Sequence, residues 1–219
     1  MQPQKKNGPT VYVVDDDQDV RDGLQCLIQS IGLECITFMT AADFLSAKIA
    51  DEVSCLILDV RLPGLSGLDF QLELAKAQIE MPIVFITGYG DIPMTVKAMK
   101  AGAIEFFTKP IREQDLLDAI YVALDRDRAK RRDLKTTLDL RTRFQALSPR
   151  EQDVMCRVCT GLMNKQVAAE IGISEITVKV HRHNVMKKLG ARSLAELVRM
   201  ADRLKVPSEQ RDRHEKNSS

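Results

Sequence analysis

Five short apolar runs, each followed by a helical pattern, confine the first half of this chain to one kind of architecture. The runs fall at about 10–15, 34–38, 54–59, 82–87 and 104–107. Segments of helical period follow at about 18–31, 41–48, 67–78, 92–101 and from 112 onward. Gly32, Gly64, Gly67, Gly88, Gly90 and Gly102 punctuate the joins. Runs such as Cys55-Leu56-Ile57-Leu58 are apolar throughout, the mark of strands covered on both faces. Right-handed crossovers put helices on both of those faces. The pattern predicts an α/β domain with a five-stranded, doubly wound parallel sheet.

In such a sheet the carboxyl ends of the strands share one edge, where ligands bind. Here that edge is chemically loaded. The first run ends in Asp15-Asp16-Asp17, the third in Asp59, the fourth in Thr87 and the fifth in Lys109-Pro110. Carboxylates packed together repel unless a cation joins them. Mg²⁺ takes oxygen ligands in octahedral geometry and keeps several waters. One or two carboxylates, a backbone carbonyl and water make that set. A carboxylate beside such a metal can accept a phosphoryl group, with Lys109 to pair with it and the Thr87 hydroxyl to meet another of its oxygens. The plain alternative is that these aspartates cap the first helix and nothing more. A calcium loop is excluded, because Val20 stands where the loop glycine is needed and Cys26 where the closing glutamate belongs. There is no glycine-rich phosphate loop, so nucleotide binding has no support.

The second half has the opposite electrical character. Residues 1–124 carry 10 Lys+Arg against 18 Asp+Glu and residues 125–219 carry 22 against 13, so balances of −8 and +9 hide inside a net charge of +1. An acidic half joined to a basic half points to a cation site in one and a polyanion partner for the other. The five cysteines form no disulfide framework, and Cys156 and Cys159, although spaced as a pair, sit in a helical apolar pattern that reads as core. No apolar stretch approaches the ~20 residues of a membrane span, and Met1 to Pro9 is polar, so a cytoplasmic protein without membrane contact is expected.

From Leu116 to Phe144 there is neither proline nor glycine, and residues 125–133 mix both charges, which predicts a long, solvated linker helix over 125–145. Ser148-Pro149-Arg150-Glu151 then offers an N-cap serine, a first-turn proline and a glutamate that can bond back to the cap. Four short helices follow at about 149–160, 164–171, 175–189 and 194–204, the last opened by a second capping box, Ser193-Leu194-Ala195-Glu196. Asn164 to Ile171, the turn Gly172-Ile173-Ser174 and the basic segment Ile176 to Leu189 have the order of a helix-turn-helix. Ile176, Val178, His181, Val185 and Leu189 are placed toward its core side, with Lys179, Arg182, His183, Lys187 and Lys188 elsewhere. A small helical bundle with a solvated basic face is the bland alternative. The polar tail, 206–219, is expected to be unstructured.

These motifs carry a specific resemblance. Residues 10–124 resemble the receiver domain of two-component response regulators. The matching pieces are Val13-Val14-Asp15-Asp16, Leu58-Asp59, Pro63-Gly64 with Gly67, Thr87-Gly88, Ala101-Gly102-Ala103, and Phe106 before Lys109-Pro110. Residues 146–204 resemble the LuxR-type helix-turn-helix domain of NarL/FixJ-class regulators. Leu147-Ser148-Pro149-Arg150-Glu151, Asn164-Lys165-Gln166-Val167-Ala168 and Thr177-Val178-Lys179-Val180-His181 carry that match. The division this implies is a flavodoxin-like receiver over 9–124, a linker helix over 125–145 and an all-α, four-helix DNA-binding domain over 146–205.

The resemblance implies that a sensor histidine kinase phosphorylates Asp59, giving a 4-aspartylphosphate. It implies that Asp16 and Asp59 bind Mg²⁺ (or Mn²⁺) with the backbone carbonyl of Arg61, Asp15 acting mostly through water. Thr87 and Phe106 would form the switch pair, and the Lys109-Pro110 bond would be cis. Lys179, Val180 and His183 become the candidates for base contacts in double-stranded promoter DNA, Arg182 and Lys187 for phosphate, and Asn164 and Lys165 for backbone. His181 reads as a packed histidine. The expected protein is a phosphorylation-controlled transcription regulator rather than an enzyme. It would form a homodimer on phosphorylation, with RNA polymerase a further candidate partner. Two rivals stand beside this: a DNA-binding regulator whose receiver dimerises without phosphate, and a phosphatase that uses the acidic cluster as its own active site.

Overall fold

The computed structural model describes residues 8–88 and 90–206. The expected tail therefore lies, beyond Val206, outside the described residues. The chain divides into two compact units, one ending at Arg131 and the other beginning at Arg132.

The first unit is built on β1 (Thr10–Val14), β2 (Glu34–Phe38), β3 (Ser54–Asp59), β4 (Ile83–Thr87) and β5 (Glu105–Thr108). All pairings are parallel and the order is β2-β1-β3-β4-β5. Between them run α1 (Gln18–Ser30), α2 (Ala41–Ser46), α3 (Gly67–Lys76) and α4 (Ile92–Lys100), and α5 (Glu113–Gln145) follows β5. Side chains alternate across a strand, so one set of residues feeds two cores. Tyr12, Val14, Leu56, Leu58 and Phe85 face one side with Phe44 and Phe70. Val11, Val13, Cys55, Ile57, Val84 and Ile86 face the other with Ile28, Leu116 and Ile120. Full burial of each such side chain contributes about 1.5–3 kcal/mol, which is why the central strands β1, β3 and β4 are buried at every position, while the edge strands β2 and β5 keep exposed ones. Burial also pushes the Cys35 thiol up to about 12, so it packs as a small hydrophobe.

The second unit holds α6 (Pro149–Cys159), α7 (Asn164–Ile171), α8 (Glu175–Leu189) and α9 (Leu194–Leu204). Leu140 of α5 packs with Leu147, Met155, Val185, Leu189 and Leu197, while Val154, Val158, Val167, Ala168 and Val178 form a second cluster. Ser148 and Glu151 make the expected capping box. Ser193 caps α9 by accepting from the Glu196 amide, but the Glu196 carboxylate reaches one residue further back and accepts from the Arg192 N–H. Cys159 packs against the core, its thiol pushed up to about 11 by burial, and neither it nor Cys156 is in a disulfide. Among the described residues no helix is long and apolar enough to cross a membrane.

The helix read as a solvated linker is not solvated throughout. Asp127 is buried, accepts the Ser54 backbone N–H at 3.0 Å and pairs with Arg131 at 2.6 Å. Arg131 also reaches Asp51, and Lys130 reaches Glu80. The charged run thus hides a polar anchor at the amino end of β3, and Leu140 is a core residue further along. Asp127→Ala leaves a buried N–H unsatisfied, a change expected to cost about 2 kcal/mol in urea unfolding. A loss under 0.5 kcal/mol (roughly the scale of an ordinary surface change) would show that the anchor is incidental.

Candidate functional site

Strand register alone assembles the acidic edge. Val14 pairs with Leu58, so the next residues, Asp15 and Asp59, emerge side by side. Asp59 pairs with Ile86, and Thr87 with Thr108, which brings Thr87 and Lys109 to the same edge. Oxygens of Asp15, Asp16 and Asp59 lie within 4.8 Å of one another. Asp15 and Asp59 are buried and Asp16 is exposed. Lys109 donates to Asp15 Oδ2 at 2.6 Å and stands 3.7 Å from Asp59 Oδ2. Its first partner is therefore Asp15. Asp17 takes the role the plain alternative gave the whole run: it caps α1 by accepting from the Asp19 and Val20 amides.

Asp59 is held uneasily. Burial pushes its carboxyl above the usual carboxylate range; Lys109 pulls it down, Asp15 pushes it up, and the Arg61 and Val60 amides pull it down. Its Oδ1 is buried with no well-formed hydrogen bond among the described residues. A lone buried oxygen in a three-carboxylate cluster is the donor set a hard divalent cation fits, and the cluster could hold Mg²⁺. Thr87 is fully buried, and its backbone carbonyl accepts from the Lys109 N–H at 2.7 Å. Phe106 is half-buried and tilted against Phe85 at 6.2 Å. The Lys109-Pro110 bond is cis.

Two residues that position this edge were not singled out from sequence. Arg21 is buried and donates to the backbone carbonyl of Asp15 at 2.6 Å and to the Gln18 side chain. Its signal was its place on the apolar stripe of α1 with Leu24 and Ile28. Gly67, read only as punctuation and as part of a motif, touches β3 directly: a Cβ there would lie 2.2 Å from the Asp59 carbonyl oxygen. No side chain fits between α3 and that strand end.

In the second unit, Gly172 (φ 69°) closes α7 and Ser174 caps α8 through the Thr177 amide. Helix α8 buries Val178, Val185 and Leu189. Ile176, expected toward the core, is 73% exposed. It stands two residues from Val178, about 200° around the helix, and so shares the outer face with Lys179, Val180, His183 and Lys187, all exposed. Lys165 is also exposed. Arg182 is half-buried and donates to the Asn164 side chain at 3.3 Å. His181 is half-buried, its Nδ1 shielded from solvent.

Known proteins match this geometry in both units. Residues 11–121 match the family described as response regulator receiver domain, and residues 145–201 the bacterial regulatory proteins of the luxR family. This chain belongs to the response regulators. Nodulation protein W of Bradyrhizobium diazoefficiens is 57% identical over 90% of this chain and 86% of its own. Response regulator protein TmoT of Ectopseudomonas mendocina is 50% identical over 89% of each chain. Among solved structures, response regulator StyR is 52% identical with a TM-score of 0.78, covering 89% of this chain and 98% of its own. Full-length FixJ from B. japonicum is 40% identical with a TM-score of 0.54, over 91% and 98%. This response regulator thus joins a receiver domain to a LuxR-type DNA-binding domain, as its transcription-regulating relatives do.

The strain at Asp59 is testable in isolation. Asp59→Asn removes one incompletely compensated buried charge and is expected to stabilise this response regulator, without divalent cation, by about 1 kcal/mol in urea. Added Mg²⁺ should raise the midpoint of the wild type but not of the variant. A less stable variant, or equal Mg²⁺ stabilisation of both, would contradict the charge-cluster account.

Proposed function

We propose that a sensor histidine kinase phosphorylates Asp59 and that the resulting 4-aspartylphosphate controls dimerisation and promoter binding. The observation that carries this reading is the buried, unsatisfied Asp59 Oδ1 inside the Asp15–Asp16–Asp59 cluster. In the transfer, an Asp59 oxygen forms a bond to phosphorus as the bond to the kinase's histidine nitrogen breaks. Asp16, Asp59 and the backbone carbonyl of Arg61 would hold Mg²⁺ or Mn²⁺, with Asp15 acting through water. When bound, the cation neutralises charge on the transferred oxygens. Lys109, 3.7 Å from Asp59, pairs with the phosphoryl group. Thr87 turns its hydroxyl toward the same group and Phe106 moves in behind it, which alters the surface of the receiver, residues 9–124.

The linker over 125–145 connects this switch to the DNA-binding domain, 146–205. There α8 enters the major groove, with Lys179, Val180 and His183 at base edges and Lys187 on phosphate. Val180, an exposed aliphatic, suits a thymine methyl. Asn164, Lys165 and Arg182 lie toward the DNA backbone. A homodimer places two such helices on two half-sites in double-stranded DNA, and the bound pair can meet RNA polymerase. The protein works in the cytoplasm, where kinase and promoter are found.

Incubation with acetyl phosphate and Mg²⁺ should add one phosphoryl group by mass, shift the protein toward dimer and tighten DNA binding; Asp59→Asn should show none of these. Phosphate uptake by the variant would remove Asp59 from its role. Uptake by the wild type with no change in assembly or affinity would favour a receiver that dimerises without phosphate. Lys179→Ala is expected to lose about 1–3 kcal/mol of preference for the selected site over random DNA, as read by competition binding. Equal losses on both would reduce Lys179 to a phosphate contact.

A further inference from the structure

Two neighbouring lysines at the end of α8 look alike in sequence and are used differently. Both are exposed, but no ion pair is found for Lys187 among the described residues. Lys188 donates to Glu151 Oε2 at 2.7 Å. Glu151 is buried, with a side chain only 5% exposed. The same Oε2 accepts the Ser148 backbone N–H at 2.8 Å, while the Glu151 amide donates to Ser148 Oγ at 3.3 Å. One carboxylate therefore closes the start of α6 and grips the last turn of α8. Lys188 and the Ser148 amide together hold its carboxyl below the usual range.

A buried carboxylate is costly to leave without its cation. Glu151 is already fixed by its cap, so the ion pair fixes Lys188 rather than the reverse. The exposed face at Ile176, Lys179, Val180 and His183 lies toward the opposite end of the same rigid helix. A small change of helix angle at Lys188 therefore displaces those side chains. Base readout tolerates little such error, because a bidentate contact demands both distance and direction.

We propose that Glu151, through Lys188, is a positioning residue for the DNA-reading face of α8, and that Lys188 is a structural joint rather than a phosphate contact. The proposal rests on the reading of α8 as the helix that enters DNA. Two signatures separate the roles. A phosphate contact releases counterions, so its loss lowers the salt slope of binding by about 1. A joint leaves that slope unchanged while sequence preference falls.

The test uses full-length protein and two duplexes, one of random sequence and one enriched from a random pool by the wild type. Lys188→Met and Glu151→Gln should each weaken binding to the enriched duplex about tenfold, with salt slopes like the wild type. Their losses should not add in the double variant, since either change breaks the one pair. Lys188→Arg should restore affinity. Circular dichroism at the assay temperature should show all variants folded. A Lys188→Met slope reduced by about 1, as expected for Lys187→Ala, would overturn the proposal. So would additive losses, or affinity equal to wild type with only a lowered melting temperature. If Lys179→Ala and Lys187→Ala also leave the slope on the random duplex unchanged, the reading of α8 fails, and the proposal with it.

Discussion

The parallel pairing of β1 with β3 is the constraint on which the receiver depends. With Val14 opposite Leu58, both strands release an aspartate at the same level, and both carboxylates are buried. Two like charges held this way are unfavourable, and Lys109 from β5 is the offset the fold supplies. That lysine arrives only because the parallel pairing of β4 with β5, Thr87 with Thr108, carries the chain to the same edge. The balance is incomplete: Asp59 keeps a raised carboxyl and a lone buried oxygen. A site left slightly short of positive charge could hold a cation.

The DNA-binding unit solves a different problem with the same kind of interaction. Helix α8 buries three aliphatic side chains, Val178, Val185 and Leu189, in a narrow stripe. Two polar contacts join it to neighbouring helices, Arg182 with Asn164 and Lys188 with Glu151. Arg182 and Lys188 are thus tied to neighbouring helices, while Lys179, His183 and Lys187 stand exposed on the outer side. The outward set includes two aliphatics, Ile176 and Val180, which a merely solvated basic face would have no reason to expose together.

Much of this was legible in the chain. The strand runs were visible because strands covered on both faces are apolar throughout, and the helix boundaries because Asp17, Ser148 and Ser174 are capping residues at the right spacing. The acid edge was legible because each strand end announced its own chemistry. Ile176 was misplaced because an aliphatic side chain reads as core wherever it stands, and a helix that packs so narrow a stripe leaves room for one outside. Asp127 and Arg21 went unnoticed because a charged residue in a helix is usually solvated; each is buried here against a backbone group outside its own helix.

The sequence by itself determined the order of the elements, the chemistry at each strand end and the electrical contrast between the halves, since all three depend on local pattern and composition. Only the tertiary structure decided which charges pair. Lys109 meets Asp15 before Asp59, Asp127 anchors to Ser54, and Lys188 pairs with Glu151. These choices join residues dozens of positions apart, and electrostatic energy depends on distance and burial, neither of which exists until the chain has folded.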